Sequence, residues 1–398
     1  MKAQVSAFNV RLLKWFNFFS EFRLYAPVAI IYFSQVTGSF ALGLSIFSIT
    51  SVSMAVFEVP TGAFSDILGR KKTIMLGAGA SALALVFFAL GGSFWMLAIG
   101  AVIMGLAEAF FSGNNDALLY DSLRTDSRVK EFPGVFGKVS SMYELGLSIS
   151  AFIGGFVADW SLEFVIWLSV LPQLICLVLS FFFIEPKRHS RKIQANVFKH
   201  LKDAFLQFRK KWRLRTLSAT SILNWSISGS MHQFLPAFYM TILPTWALGL
   251  PNALGYFMSW LGYHNAGRII GRFRETTLML SGTLFDRVME FMAYRWPSVY
   301  SPIFIVMTSF TYGVNTVASA SLLHKEFMSS KRATMGSLNS LAGNMLFAVF
   351  AILLGMWADV VGPAKALLTA SLSLLVLIPL YAILSHEQRQ KLTFRNVK

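Results

Sequence analysis

Apolar residues run along this chain in long blocks broken by short polar connections, and the blocks recur at the length of a bilayer crossing. A helix needs about 20 residues to span the hydrocarbon. Twelve blocks reach that length, at 11–34, 40–64, 73–91, 94–122, 134–159, 163–184, 217–240, 250–272, 277–295, 299–323, 333–358 and 364–385. They form two sets of six, over 1–184 and 217–398, joined by the only long hydrophilic stretch, 185–216. Within that linker Phe198, Leu201, Phe205, Phe208 and Trp212 recur at spacings of three and four, with Lys199, Lys202, Arg209, Lys210 and Lys211 between them. The pattern predicts a basic amphipathic helix lying along the inner membrane surface. The two sets also echo each other. Residues 154–159 read GGFVAD and 354–359 read LGMWAD, so Gly155, Ala158 and Asp159 match Gly355, Ala358 and Asp359, and at the same offset Glu144 matches Asn344. The expected fold class is an all-α membrane protein with twelve transmembrane helices in two six-helix bundles, of the kind that places a site between parallel repeats.

Composition sharpens this picture. The 398 residues are 55% apolar and only 14% charged, and the mean hydropathy is +0.58, which no ordinary soluble domain shows. A net charge of +16 raises the question of nucleic acid. The positions of the charges answer it. Lysine and arginine gather in alternate connections, at Arg70–Lys72, Arg124–Lys138, Lys187–Arg215, Arg268–Arg274 and Lys325–Arg332, and at both ends, while Arg295 and Lys365 are the exceptions in between. This is the asymmetry that orients membrane proteins, and it predicts cytoplasmic termini and no nucleic-acid partner. The amino end has no small-residue cleavage site, so its apolar run is read as the first span and not as a signal. One cysteine, Cys176, excludes an intramolecular disulfide and is expected to serve packing.

The most distinctive stretch is EVPTGAFSDILGRKK, from Glu58 to Lys72. Read locally, it is a tight charged turn between two spans, with Gly62 and Gly69 allowing backbones to turn and approach and Arg70, Lys71 and Lys72 held inside. Gly62, Asp66, Gly69, Arg70 and Lys71 resemble the loop between helices two and three of the major facilitator superfamily, with Ile67 where that family usually has arginine. The preceding Glu58, Pro60 and Thr61 resemble bacterial drug-efflux members. The resemblance implies the major facilitator fold, with helices one, four, seven and ten around a central cavity. It also implies a conformational latch of Gly62, Asp66, Gly69, Arg70 and Asp121. In that latch Asp121 meets Arg70, and Asp66 approaches the amino end of the eleventh helix near Ala333, where a carboxylate is favoured by the helix dipole.

Charges inside a bilayer are costly, about 2.5–3.5 kcal/mol each on insertion scales, which makes them functional candidates. Glu21 and Arg23 fall mid-span in the first block, Glu108 in the fourth and Glu144 in the fifth. Glu21, Glu108 and Glu144 are candidate proton-coupling groups, because an acid poised between desolvation and a nearby cation titrates near neutral pH. The alternative is that Arg23 simply neutralises a carboxylate and fixes helix packing. Arg23, Asn115, Asp116, Asn224, His232, Gln233 and Asn315 are candidate cavity residues, able either to read a substrate or to bind helix to helix. Asp286, Arg287 and Glu290 make a charged face on the ninth span, peripheral in the family, and are read as a local ion network. Two departures weaken an antiporter assignment. The fourth span lacks an arginine that many proton-coupled members carry, and the fifth has SAFIGG where antiporters often have GPxxGG.

The expected function is a secondary transporter of a small molecule in the bacterial inner membrane, most similar to proton-coupled efflux members. Surplus acidic groups in the spans and abundant Phe and Met favour a lipophilic cationic or neutral compound. An uptake symporter or facilitator is the nearest alternative, although IEPKR stands where sugar porters carry their signature after the sixth span. A transporter-like receptor or lipid-handling protein is the other. Expected partners are the substrate, protons and membrane lipid, with the protein acting as a monomer. No metal cluster, nucleophile motif or phosphate-binding glycine loop is present in the sequence, so neither cofactor, metal nor enzymatic activity is expected.

Overall fold

A computed structural model of the protein describes residues 5–186, 212–326 and 332–385. Among these residues there is no strand, and fourteen helices carry the fold. They are α1 (Val5–Ser20), α2 (Ala29–Thr37), α3 (Phe40–Leu68), α4 (Arg70–Leu90), α5 (Phe94–Phe111), α6 (Asn114–Thr125), α7 (Phe132–Ala158), α8 (Leu162–Phe181), α9 (Trp212–Tyr239), α10 (Gly249–Arg272), α11 (Glu275–Arg295), α12 (Ser301–Glu326), α13 (Arg332–Val361) and α14 (Pro363–Ser373). A 3-10 turn at Leu374–Val376 prolongs α14 into further helix as far as residue 385. Eight spans among the described residues are long and apolar enough by themselves to cross a bilayer. The predicted linker helix of Phe198–Trp212 falls outside the described residues, which resume at Trp212.

Fourteen helices make twelve spans because two of the predicted spans are each broken in the middle. The first block is not one helix over 11–34. It stops at Ser20, runs irregularly through Glu21–Tyr25 and a short 3-10 turn at Ala26–Val28, and resumes at Ala29. Pro27 lies at the start of that 3-10 turn, where proline is tolerated, and it lacks the N–H that a continuous helix would bond to the Arg23 carbonyl. Glu21 and Arg23 therefore sit in the break, not on a helix face. The fourth block likewise divides at Ser112–Gly113, where Gly113 takes a φ of 69°.

The Glu58–Lys72 stretch also differs from its expected turn. Helix α3 runs through Gly62 to Leu68, and Gly69 alone separates it from α4, with φ 103° and ψ 158°, a conformation that needs glycine. Among the described residues, a Cβ added at Gly62 would meet nothing within 4 Å, so Gly62 makes no close backbone approach to them.

Contacts divide the chain into two compact units: Met1–Arg191 with Tyr239–Tyr256, and Lys192–Phe238 with Phe257–Lys398. In the first, Leu13, Phe16, Ile74, Ala78, Leu118, Leu123 and Val139 form a buried core around Cys176. Phe16 meets Phe111 and Phe183 edge-on at 5.5 and 5.7 Å. Two glycines of α7 bring backbones together. A Cβ at Gly154 would lie 1.9 Å from the Leu24 carbonyl in the first-span break, and one at Gly155 would lie 2.7 Å from the Gly249 nitrogen. In the second unit α11 packs on α12 and α14, and Ser226 of α9 donates to the Gly343 carbonyl of α13 at 3.0 Å. The repeat seen in the sequence reappears as burial. Ala151, Gly154, Gly155 and Ala158 are buried on α7, and Ala351, Leu354, Gly355 and Ala358 are buried at the equivalent positions of α13.

Candidate functional site

The break in the first span exposes backbone carbonyls at a depth where lipid offers them no hydrogen bond, so protein groups must supply them. Gln173 of α8 donates through Nε2 to the carbonyls of Phe19 and Ser20 at 3.3 and 3.1 Å. Ser150 of α7 reaches the Glu21 carbonyl at 3.5 Å, and the Tyr25 N–H finds the Ser169 hydroxyl at 3.2 Å. The unwound segment is thereby fixed from two sides. Its side chains are presented in a defined arrangement instead of following a helix.

That arrangement brings three of the predicted charges together. Arg23 donates through Nη1 to Glu108 of α5 at 3.3 Å and through Nη2 to Glu21 at 3.5 Å. The three side chains keep 19%, 28% and 25% of their surface accessible, so they face a space and are not sealed in the core. Two carboxylates share one guanidinium, which leaves one negative charge uncompensated when both are ionised. Glu144 of α7 is half-buried and within electrostatic reach of Glu21. Nearby on α6, Asn115 donates to the Tyr143 hydroxyl at 3.1 Å, and its buried Oδ1 has no hydrogen bond among the described residues. Asp116, next in sequence, is exposed.

At the α3–α4 junction of the same unit Arg70 anchors a second cluster. Its Nη1 donates to Ser65 at 2.5 Å and to the Asn114 side-chain oxygen at 3.0 Å, Ser65 in turn bonds Asn114, and Nε stands 3.9 Å from Asp121. Arg70 and Asp121 thus meet as the family resemblance implied, but Ser65 and Asn114 hold the closer positions. Asn114 also donates to the Phe110 carbonyl at 2.6 Å, filling the gap left by the α5–α6 break. Asp66 belongs by its backbone to α3, and its side chain lies outside those described. Sequence reasoning missed Glu185. Its two carboxylate oxygens accept the backbone N–H groups of Arg70 and Lys71 at 2.9 and 2.8 Å, capping the amino end of α4. The signal was present as an acid just after the sixth span, but nothing local to it names a partner over a hundred residues away.

In the second unit the candidates do not converge. Asn224 and Gln233 are nine residues apart, half a turn out of phase on α9, and so lie on opposite sides of it. His232 is exposed beside Gln233. Asn315 of α12 lays its amide against Gly282 of α11, where a Cβ would come within 2.3 Å of it, so its contact is with a neighbouring helix. Of the ninth-span charges, Arg287 pairs with Glu290 at 2.9 Å, while Asp286 stands outside that pair and bonds the Thr311 hydroxyl. No cluster of His, Cys, Asp and Glu able to hold a metal occurs among the described residues.

Comparison with known proteins agrees with this architecture. The chain is 21% identical over 345 residues to a class D tetracycline resistance protein of Salmonella ordonez, covering 83% of this chain and 82% of that one. It is 23% identical over 222 residues to the multidrug resistance protein MdtG of Salmonella arizonae, about half of each chain, and the match to an uncharacterized Buchnera aphidicola transporter covers only 36% of that protein. The fold superposes on the nucleoside transporter NupG with a TM-score of 0.78 at 13% identity, covering 96% of this chain and 99% of that one. A bacterial homologue of the lysosomal transporter Spinster, inward-facing and unoccupied, gives 0.77 at 15% identity over 97% and 98%. The family profile described as Major Facilitator Superfamily matches residues 12–350, and the chain, a multi-pass membrane transporter and not an enzyme, belongs to that superfamily.

Proposed function

We propose that this transporter is a proton-coupled exporter of lipophilic cationic or neutral compounds, working by alternating access in a bacterial inner membrane with both termini inside. The observation that carries the reading is the sharing of Arg23 between Glu21 and Glu108 across a broken span. When Glu108 takes a proton, its hold on Arg23 weakens and Arg23 passes to Glu21. When Glu108 is ionised, the excess carboxylate attracts a cationic group. Proton and cation thus compete for one charge deficit, which is the physical requirement for exchange. Each state of the cluster favours a different conformation only to the extent that it binds proton or substrate differently. The tetracycline- and multidrug-resistance proteins among the relatives support export of foreign compounds.

The test is transport in proteoliposomes with an imposed pH gradient, using fluorescent lipophilic cations as substrates. Wild-type protein is expected to move the probe against its gradient when protons flow the other way. Glu108→Gln is expected to lose the pH-driven component by about tenfold or more, a coupling loss of about 1.4 kcal/mol, while probe binding persists. Undiminished pH dependence in Glu108→Gln would falsify the carrier role.

A further inference from the structure

The Arg23 cluster draws its charged groups from the first span, α5 and α7, yet a buried hydrogen-bond relay from α4 and α8 ends on it. Ser81 of α4 donates through Oγ to Gln173 Oε1 of α8 at 3.0 Å, and both side chains lie in the core, with exposures of 2% and 0%. Gln173 turns the other end of its amide to the first-span break, where Nε2 donates to the carbonyls of Phe19 and Ser20 at 3.3 and 3.1 Å. The orientation of that amide follows from its partners. Two carbonyls can only accept, so the group facing them is the NH2, and the Ser81 hydroxyl is left to donate to the oxygen.

One of the two carbonyls is shared with the cluster. Arg23 Nε also donates to the Ser20 carbonyl, at 3.4 Å, so a single oxygen lies between the Gln173 amide and the guanidinium. A guanidinium is a rigid planar fork, and holding one of its nitrogens fixes the directions of the other two. With Nε on Ser20, Nη1 faces Glu108 at 3.3 Å and Nη2 faces Glu21 at 3.5 Å. The Ser20 carbonyl itself needs holding. A continuous helix would give the Phe19 and Ser20 carbonyls the N–H groups of Arg23 and Leu24, but at the break the Arg23 N–H goes to the Glu21 carbonyl at 2.8 Å. Phe19 keeps a partner in the Phe22 N–H at 3.2 Å. Among the described residues the Ser20 carbonyl has Gln173 and Arg23 alone, so Gln173 is what holds it independently of the guanidinium.

We propose that Gln173, oriented by Ser81, is a positioning residue of the transport site: by fixing the Ser20 carbonyl it sets the direction of the Arg23 guanidinium, and thereby how Arg23 is divided between Glu21 and Glu108. The third and sixth spans thus act on the cluster without contributing a charge to it. The consequence for transport rests on the coupling role proposed for that cluster; the positioning itself does not.

Infrared spectroscopy of the reconstituted protein reads the positioning, because a carboxyl band moves with the hydrogen bonds its oxygens accept. The components of Glu21 and Glu108 are identified by their loss in Glu21→Gln and Glu108→Gln. Both are expected to shift in Gln173→Met, which keeps an unbranched chain and removes the amide, and in Ser81→Ala, which removes only the group that orients it. A purely structural role would lower the melting temperature and leave both components in place, and that result overturns the assignment. Should Gln173→Met fail to fold, Ser81→Ala decides by the same criterion. Uptake of a fluorescent lipophilic cation driven by a pH gradient is expected to fall in the variants whose bands shift. Shifted bands with undiminished uptake uphold the positioning and count against the coupling role of the cluster.

Discussion

The Leu24 carbonyl sits where a side chain on α7 would otherwise be, and Gly154 is the residue that makes room for it. Replacing that glycine with alanine puts a carbon into backbone that cannot swing away, a form of overpacking that costs about 1–3 kcal/mol. Gly154→Ala is accordingly expected to lower the thermal stability of the detergent-solubilised protein. Gly62→Ala is the contrast, because its added carbon meets none of the described residues. It is expected to leave stability unchanged or raise it by about 0.5–1 kcal/mol, and a large loss there would mean that α3 meets a partner in another state. Residues of this kind differ in how readable they are. Glu21, Arg23 and Glu108 stood out because a charge in an apolar block demands a partner. Asn315 and Gly154 did not reveal their contacts, since whether an amide or a glycine meets a helix or a cavity depends on where the neighbouring backbone passes.

Among elements, the turn from α3 to α4 illustrates how a distant side chain finishes a helix. The first turn of any helix has N–H groups without partners, and at α4 two of them are satisfied by Glu185, from the exit of the sixth span. Glu185→Gln keeps the shape but loses the negative charge at a positive helix end. It is expected to destabilise this turn by about 0.5–1 kcal/mol, detected as faster proteolytic cleavage near Lys71 and Lys72 with little change in global melting. Unchanged cleavage would mean that the cap is dispensable. The lengths and order of the spans followed from apolar block length, which is set by the bilayer. The two breaks did not follow from it, although Pro27 and the Ser112–Gly113–Asn114 sequence mark them locally. An apolar block has the same hydropathy whether or not its helix is continuous.

For the whole molecule, the charge asymmetry between alternate connections predicts a testable orientation. Trp160 and Trp296 are exposed in connections on the side poor in lysine and arginine, as interfacial tryptophans are. In a Cys176→Ser background, a membrane-impermeant thiol reagent added to intact cells is expected to label Trp160→Cys and Trp296→Cys and to spare Lys72→Cys. Labelling of Lys72→Cys from outside reverses the topology. Cys176 is itself buried, so its removal leaves the reactive surface unchanged. The internal repeat was legible at this scale because the same small-residue face recurs on α7 and α13. The candidate site was legible only in its acids and arginine, because the groups that hold the broken span come from α7 and α8 and carry no local signature of that task.

The broken first span also bears on how the protein is made. Neither of its two helices is long and apolar enough to cross a bilayer alone, yet they leave the ribosome before the spans that support them. Until the fifth and sixth spans arrive, Gln173, Ser150 and the Gly154 recess are missing, and the carbonyls around Glu21 have no protein partner. A nascent chain halted after its fourth span would hold an unfinished segment that quality-control proteases can recognise. The first span is thus synthesised before the groups that hold it, and the sixth span is the step that commits its bundle.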